Sequence, residues 1–305
     1  MKFSVYQVSR KGGREVNEDR VGYTYTRDAV LLTLADGMGG HPDGEKAAEI
    51  AVRVFTQRFV SEAHPRLRDP RAFLERTLLD ANQAIVDYAH AHSMSDYPRT
   101  TLVAAVVQAG GLSVVHSGDS RLYWIRHGHM VQRTRDHSYH DKPELFRQIP
   151  AGVNRSVLFT CLGSDSPPLY DVFGPQALEQ GDRLLLCSDG LWSVMTDEDV
   201  AIGLHGVPLQ DAVHTLADEA EHKAGRHGDN VSLLALEWDT ADDFESTQVV
   251  IRSEGLADRS FASSFGAVDD TAETATDAFD EDTIERAIAE INEAIRRTAL
   301  RKRDP

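Results

Sequence analysis

Apolar residues alternate with polar ones, or run together between Gly, Asp and Asn, at residues 3–8, 21–25, 30–35, 101–107, 112–116, 121–125, 183–187 and 231–237. Each of these segments reads as a strand. Elsewhere the period lengthens to that of a helix. Residues 45–59 place Ala47, Ile50, Ala51, Val54, Phe55 and Phe59 on one face, and residues 71–90 and 209–223 carry a similar stripe. The strands come in hairpin-like runs and the helices in pairs. That order points to antiparallel sheets covered by helices rather than to a regular alternation of strand and helix.

The pattern changes near residue 240. Residues 1–239 read as one compact catalytic-type domain, and residues 240–282 as an acidic linker without sustained period, expected to be disordered. Beyond it, residues 283–301 predict a short amphipathic helix. Ile284, Ile288, Ile291 and Ile295 form its stripe, and Arg296, Arg297, Arg301, Lys302 and Arg303 lie toward its C-terminal end, where the helix dipole favours cations. The stripe suits either docking of a partner or folding back on the chain's own domain.

Composition narrows the class. The chain has 305 residues, 41% of them hydrophobic, enough for a sizeable core. No apolar run approaches the ~20 residues of a membrane span, and the N-terminus has the alternation of a strand rather than the apolar core of a leader; a cytoplasmic protein without a transmembrane segment is expected. A formal net charge of −17 disfavours nucleic acid and anionic membranes as partners. Cys161 and Cys187 stand in apolar runs without zinc-site spacing and read as buried, reduced thiols.

The candidate chemistry lies in five segments: GGREVNEDR (12–20), LADGMGGHPDGE (34–45), HSGDSRLYW (116–124), LCSDGLW (186–192) and GDNVS (228–232). Each sets an Asp beside a Gly or at a strand end, where side chains of separate sheets can converge on a cleft. Aspartate oxygens are hard ligands suited to Mg²⁺ or Mn²⁺, and several carboxylates together repel one another unless cations neutralise them. Two metals about 3.5–4 Å apart can share one Asp and hold a bridging water as hydroxide, a nucleophile that needs no protein side chain. Singly, each segment is an ordinary turn or solvated loop.

In combination and order, with TRDHS at 134–138, the set resembles the type 2C family of metal-dependent protein serine/threonine phosphatases in its bacterial form, from about residue 3 to residue 237. The resemblance implies an α+β four-layer α-β-β-α sandwich, two antiparallel sheets flanked by helix pairs. It implies hydrolysis of phosphoserine and phosphothreonine monoesters by a hydroxide bridging two divalent cations, Mn²⁺ or Mg²⁺. Asp36 would bridge the metals and Gly37 would offer its carbonyl. Asp189 and Asp229 would complete the second metal site, and Asp19 would act on the first, with Glu18 in the outer shell. Asp119, with Asp189, matches the position of a third, weaker site. Arg14 matches the arginine that holds the substrate phosphate, a role suited to a guanidinium fork. Asn230 would orient a ligand or cap the strand start.

The chain departs from the family pattern at several places. Met38 stands where animal members carry a His that serves as a candidate general acid, and His41 reads as an exposed loop histidine. The segment 138–159 is shorter than the usual two-helix flap. Arg99 replaces a small Gly, and Ser193 stands where some members have a further acidic residue. No departure removes a core ligand. The expected partners are phosphorylated proteins in a serine/threonine kinase pathway, with SVLFTCLGSD resembling phosphatases of type VI secretion (T6SS) control. The alternatives are an inactive or weakly active member serving as a binding module, and a metal-dependent phosphodiesterase or nuclease.

Overall fold

The computed structural model describes residues 1–39, 43–138, 141, 158–240, 248–254 and 262–264. His41, most of the short flap and the helix expected at 283–301 therefore lie outside the described residues. The strands are β1 (Lys2–Arg10), β2 (Asp19–Tyr25), β3 (Ala29–Asp36), β4 (Leu102–Gln108), β5 (Gly111–Ser117), β6 (Arg121–Arg126), β7 (His129–Arg133), β8 (Asp171–Ala177), β9 (Arg183–Cys187), β10 (Val231–Thr240), β11 (Gln248–Glu254) and β12 (Ala262–Ser264). The helices are α1 (Gly44–Glu62), α2 (Pro70–Ala91), α3 (Asp189–Trp192), α4 (Asp197–Gly203) and α5 (Leu209–Ala224).

Two six-stranded sheets form, in the orders β11-β1-β10-β9-β6-β7 and β12-β2-β3-β4-β5-β8. Every pairing is antiparallel except those of β11 with β1 and β12 with β2, which are parallel. The central strands read as near-continuous apolar runs because both of their faces are covered. In β4, Val103, Ala105 and Val107 enter the core between the sheets, while Leu102, Ala104 and Val106 face α1 and α2. In β9, Leu184 and Leu186 face the other sheet, and Leu185 and Cys187 pack under α3–α5. The result is the expected four-layer sandwich. The outer layer over β9 and β10 is one long helix, α5, with the short α3 and α4, rather than an even pair.

Helix boundaries follow local chemistry. Asp69 caps α2 by accepting from the Ala72 N–H at 3.0 Å, with Pro70 just inside the start. Thr196 and Asp199 form a reciprocal capping box on α4. Two edge strands, β7 and β8, carry no clear period: β7 has no fully buried residue, and β8 contains Gly174-Pro175 and a register shift opposite β5. One expectation is corrected in part. Within the segment read as a disordered linker, β11 and β12 extend the two sheets. The run Val249-Val250-Ile251 has strand propensity that the acidic surroundings mask.

Candidate active site

The strand order brings the five segments to one end of the sandwich. Asp19 opens β2 and Asp36 closes β3, and the two are paired in register. β9 and β10 are neighbours, so Asp189, just past β9, comes beside Asp229, just before β10. Asp119 lies where the chain crosses from β5 of one sheet to β6 of the other. The Ser188 hydroxyl donates to Asp19 Oδ2 at 2.7 Å and joins the sheets at the site.

Short polar links fix each backbone. Thr100 Oγ1 donates to the Asp36 carbonyl at 2.8 Å, and Thr101 Oγ1 accepts the Asp36 N–H at 3.2 Å while bonding Ser120 Oγ at 2.6 Å. A Cβ on Gly37 would sit 2.5 Å from the Gly44 backbone, so the start of α1 approaches the Asp36-Gly37 turn only because residue 37 is glycine. Asn230 acts as a tie. Its amide donates to the carbonyls of Lys11 and Val16 at 2.9 and 3.0 Å, and its Oδ1 accepts the Glu18 N–H at 2.9 Å. The loop bearing Arg14 is thereby fastened to the start of β10. Arg14 is exposed and donates to Asp229 Oδ2 at 2.6 Å. Glu18 reaches toward Gly44 and Gly39 at the rim, beside rather than within the aspartate cluster.

The electrostatics are those of a cation site. Burial, followed by Asp19, Asp189, Asp119 and Asp229, raises the Asp36 carboxyl well above its ordinary range. Burial also raises Asp19, opposed by hydrogen bonds that include Ser188. Asp189 is raised by burial and then by Asp119, Asp229 and Asp19. Asp119 is pushed to about 6 by burial and by Asp136. Asp19 Oδ1 is buried without a hydrogen-bond partner. Convergent, mutually repelling carboxylates with an orphaned buried oxygen fit hard divalent cations, which would supply the missing positive charge.

The structure brings Arg14, Asp19, Asp36, Gly37, Asp119, Asp189 and Asp229 to this end of the sandwich, with Glu18 beside them at the rim and Asn230 tying the Arg14 loop to the start of β10. At Met38 only the backbone takes part, donating to the Arg99 carbonyl at 2.9 Å, and the side chain offers no proton. The Arg99 side chain instead hydrogen-bonds Cys161, whose thiol burial pushes up. Both cysteines are free.

Sequence reading assigned no role to Ser188, Thr100 and Thr101, or to two buried histidines and an exposed aspartate behind Asp119. There the His116 and His137 rings stack with centroids 4.7 Å apart, and Asp171 stands opposite His116 across the strands. These three residues have metal-ligand chemistry, but their wiring is that of hydrogen bonds. His137 Nδ1 accepts the Gly118 N–H at 3.1 Å, so the neutral ring carries its proton on Nε2, 3.5 Å from Asp171 Oδ2. The signal was present, since His137 belongs to TRDHS and Ser188 to CSDGLW, but a motif does not reveal which partner each side chain meets.

Comparison with known proteins agrees with this geometry. The family model "Protein phosphatase 2C" matches residues 8–225. The serine/threonine phosphatase stp of Listeria innocua is 30% identical over 244 residues, covering 76% of this chain and 94% of that protein. The catalytic domain of the serine/threonine protein phosphatase PstP, solved in complex with two manganese ions, is 29% identical with a TM-score of 0.63, covering 77% of this chain and 97% of the other. PppA, a key regulatory component of T6SS in Pseudomonas aeruginosa, is 25% identical with a TM-score of 0.63, covering 78% and 98%. With the family model spanning well over half of its length, the chain belongs to the protein phosphatase 2C family.

Proposed function

We propose that the aspartate cluster is the catalytic centre through which this chain, a metal-dependent protein serine/threonine phosphatase, hydrolyses phosphoserine and phosphothreonine in protein substrates. The observation that carries the reading is the convergence of Asp36, Asp19 and Asp189 on Asp229, with the Asp19, Asp36 and Asp189 carboxyls raised by burial and then by the neighbouring aspartates. Asp36, Asp189, Asp229, Asp19 and the Gly37 carbonyl would hold two divalent cations, Mn²⁺ or Mg²⁺, and Asp119 with Asp189 a third. The two manganese ions of the PstP domain support that count for the core pair. When bound, the cations supply Lewis acidity, which draws charge from phosphoryl oxygens and acidifies water.

The chain's own residues do the rest. Arg14 exchanges Asp229 for two phosphoryl oxygens and holds them as a fork. Asn230 keeps the Arg14 loop fastened while that exchange happens. Thr100 and Thr101 hold the Asp36 backbone so that its carboxylate stays among Asp19, Asp189, Asp119 and Asp229. Met38 has no proton to give, so the proton for the leaving seryl or threonyl oxygen comes from water or from another group at the cleft.

The pathway partner is a serine/threonine kinase whose products this enzyme reverses, in the cytoplasm. The likeness to PppA supports a place in type VI secretion control. Among the described residues no helix is long and apolar enough to cross a membrane. Docking through 283–301 concerns residues outside the described ones, and deleting them while following partner capture tests it. For the activity itself, purified protein is incubated with a phosphothreonine peptide, DNA, RNA and a cyclic dinucleotide, with Mn²⁺ or with EDTA. Cation-dependent release of phosphate from the peptide alone is expected, and preferential cleavage of a phosphodiester would overturn the reading.

A further inference from the structure

We infer that Arg121, Asp136 and Trp192 form a positioning clamp that holds Asp119 at a set distance from Asp189, and so tunes how tightly these two aspartates hold a third cation. The inference rests on the reading of Asp119 as a ligand given above. Arg121 lies two residues after Asp119, and Trp192 three residues after Asp189 on the single turn α3. The Arg121 guanidinium forks Asp136 through Nε at 2.8 Å and Nη2 at 2.7 Å. Its Nη1 donates to Tyr123 Oη at 3.1 Å, and its flat face lies 3.9 Å from the Trp192 ring centre. The side chains of Arg121 and Asp136 are only 11% and 6% exposed.

One guanidinium thus ties the strand that follows Asp119 to the helical turn that begins at Asp189. A second tie comes from the residue after Asp136: His137 Nδ1 accepts the N–H of Gly118, immediately before Asp119. The Asp189 side has anchors of its own, since Ser188 bonds Asp19 and a Cβ on Gly190 would overlap the Asn230 carbonyl. The adjustable member of the pair is therefore Asp119. A buried ion pair is a poor source of net stability, often replaceable by apolar groups. The bidentate fork combined with an aromatic stack specifies direction and distance in a way that a lysine ammonium cannot reproduce.

The test is Mn²⁺ titration calorimetry on full-length, chelator-stripped wild type, Arg121→Lys, Trp192→Phe and Asp119→Asn, with Tm recorded in EDTA. Wild type is expected to show a weak step beyond the tight ones, and Asp119→Asn to lose it. Arg121→Lys should weaken that step about tenfold and Trp192→Phe about threefold, with the tight steps within about twofold of wild type. In parallel, turnover of Arg121→Lys should recover with excess Mn²⁺ while KM for phosphopeptide stays put. A folded Arg121→Lys with the weak step unchanged, or with all steps weakened alike, overturns the clamp. If Arg121→Lys does not fold, Trp192→Phe decides by the same criteria. A weak step that survives Asp119→Asn, or its absence from wild type, instead sinks the reading of Asp119 as a ligand.

Discussion

Arg14 and Asp229 are paired at 2.6 Å on an exposed loop, where a single ion pair adds little to stability. The value of that arginine is therefore expected in turnover. Arg14→Ala should lower kcat/KM for a phosphopeptide by about 100-fold, the scale for losing a donor to developing charge, with Tm nearly unchanged. Arg14→Lys should restore only part, because an ammonium lacks the fork. Equal losses in Tm and activity would instead make Arg14 structural. Asp19, Asp36, Asp119 and Asp189 behave differently, because their folded pKa values lie above the ordinary carboxylate range, with Asp119 at about 6 and Asp189 at about 8. Such a group holds its proton more tightly folded than unfolded, so its cost to stability is absent below pH ~4 and grows as pH rises through the folded value. Protein stripped of cations by chelation should gain Tm as pH falls from about 8 to about 5, and Mn²⁺ at pH 8 should recover most of that gain. A stripped protein that becomes more stable as pH rises over that range would contradict the cluster's electrostatics.

At the scale of elements, the site depends on two close backbone approaches, Gly37 against the start of α1 and Gly190 against the start of β10. Gly190→Ala should destabilise by about 1–3 kcal/mol through overpacking and should reduce activity further, since Asp189 and Asp229 flank that contact. Circular dichroism melts beside phosphopeptide assays read both effects, and a neutral Gly190→Ala would show that α3 and β10 adjust freely. The elements that carry the clustered aspartates were legible in the sequence because five Asp-bearing segments, each an ordinary turn alone, stand at the ends of apolar runs in one telling order. The helices were legible because α1, α2 and α5 each bury one stripe. β7 and β8 were not, since exposed or Pro-interrupted edge strands take their structure from a neighbour rather than from their own period. The roles of Arg121, Asp136 and Trp192 were hidden for a related reason: Asp136 and Trp192 lie 15 or more residues from the Arg121 that joins them, and only the fold assembles the three.

For the whole molecule, charge sets the approach of substrate. A protein of formal net charge −17 repels a phosphorylated, acidic peptide except where bound cations and Arg14 reverse the local field. Phosphopeptides with flanking Lys or Arg should therefore react about tenfold faster in kcat/KM than acidic ones at low salt, and the gap should close near 0.5 M salt. A salt-independent preference would place specificity in shape rather than charge. The periodicity pointed only to antiparallel sheets covered by helices, and the four layers were implied by the family resemblance. The extension of each sheet by β11 and β12 could not be read, because their acidic surroundings hide short strand-forming runs.

If catalysis depends on cations that the aspartates would hold, the Asp36 carboxylate, at the end of β3 in register with Asp19, is indispensable to it. Asp36→Asn keeps the size of the side chain and the Thr100 and Thr101 links to its backbone while removing the charge. Its phosphopeptide kcat with saturating Mn²⁺, measured beside the number of tightly bound Mn²⁺ ions, should fall by about 1,000-fold or more with loss of tight binding. A folded Asp36→Asn that keeps turnover within tenfold of wild type, or wild type that stays active in excess EDTA, would show that the aspartate cluster does not work through cations.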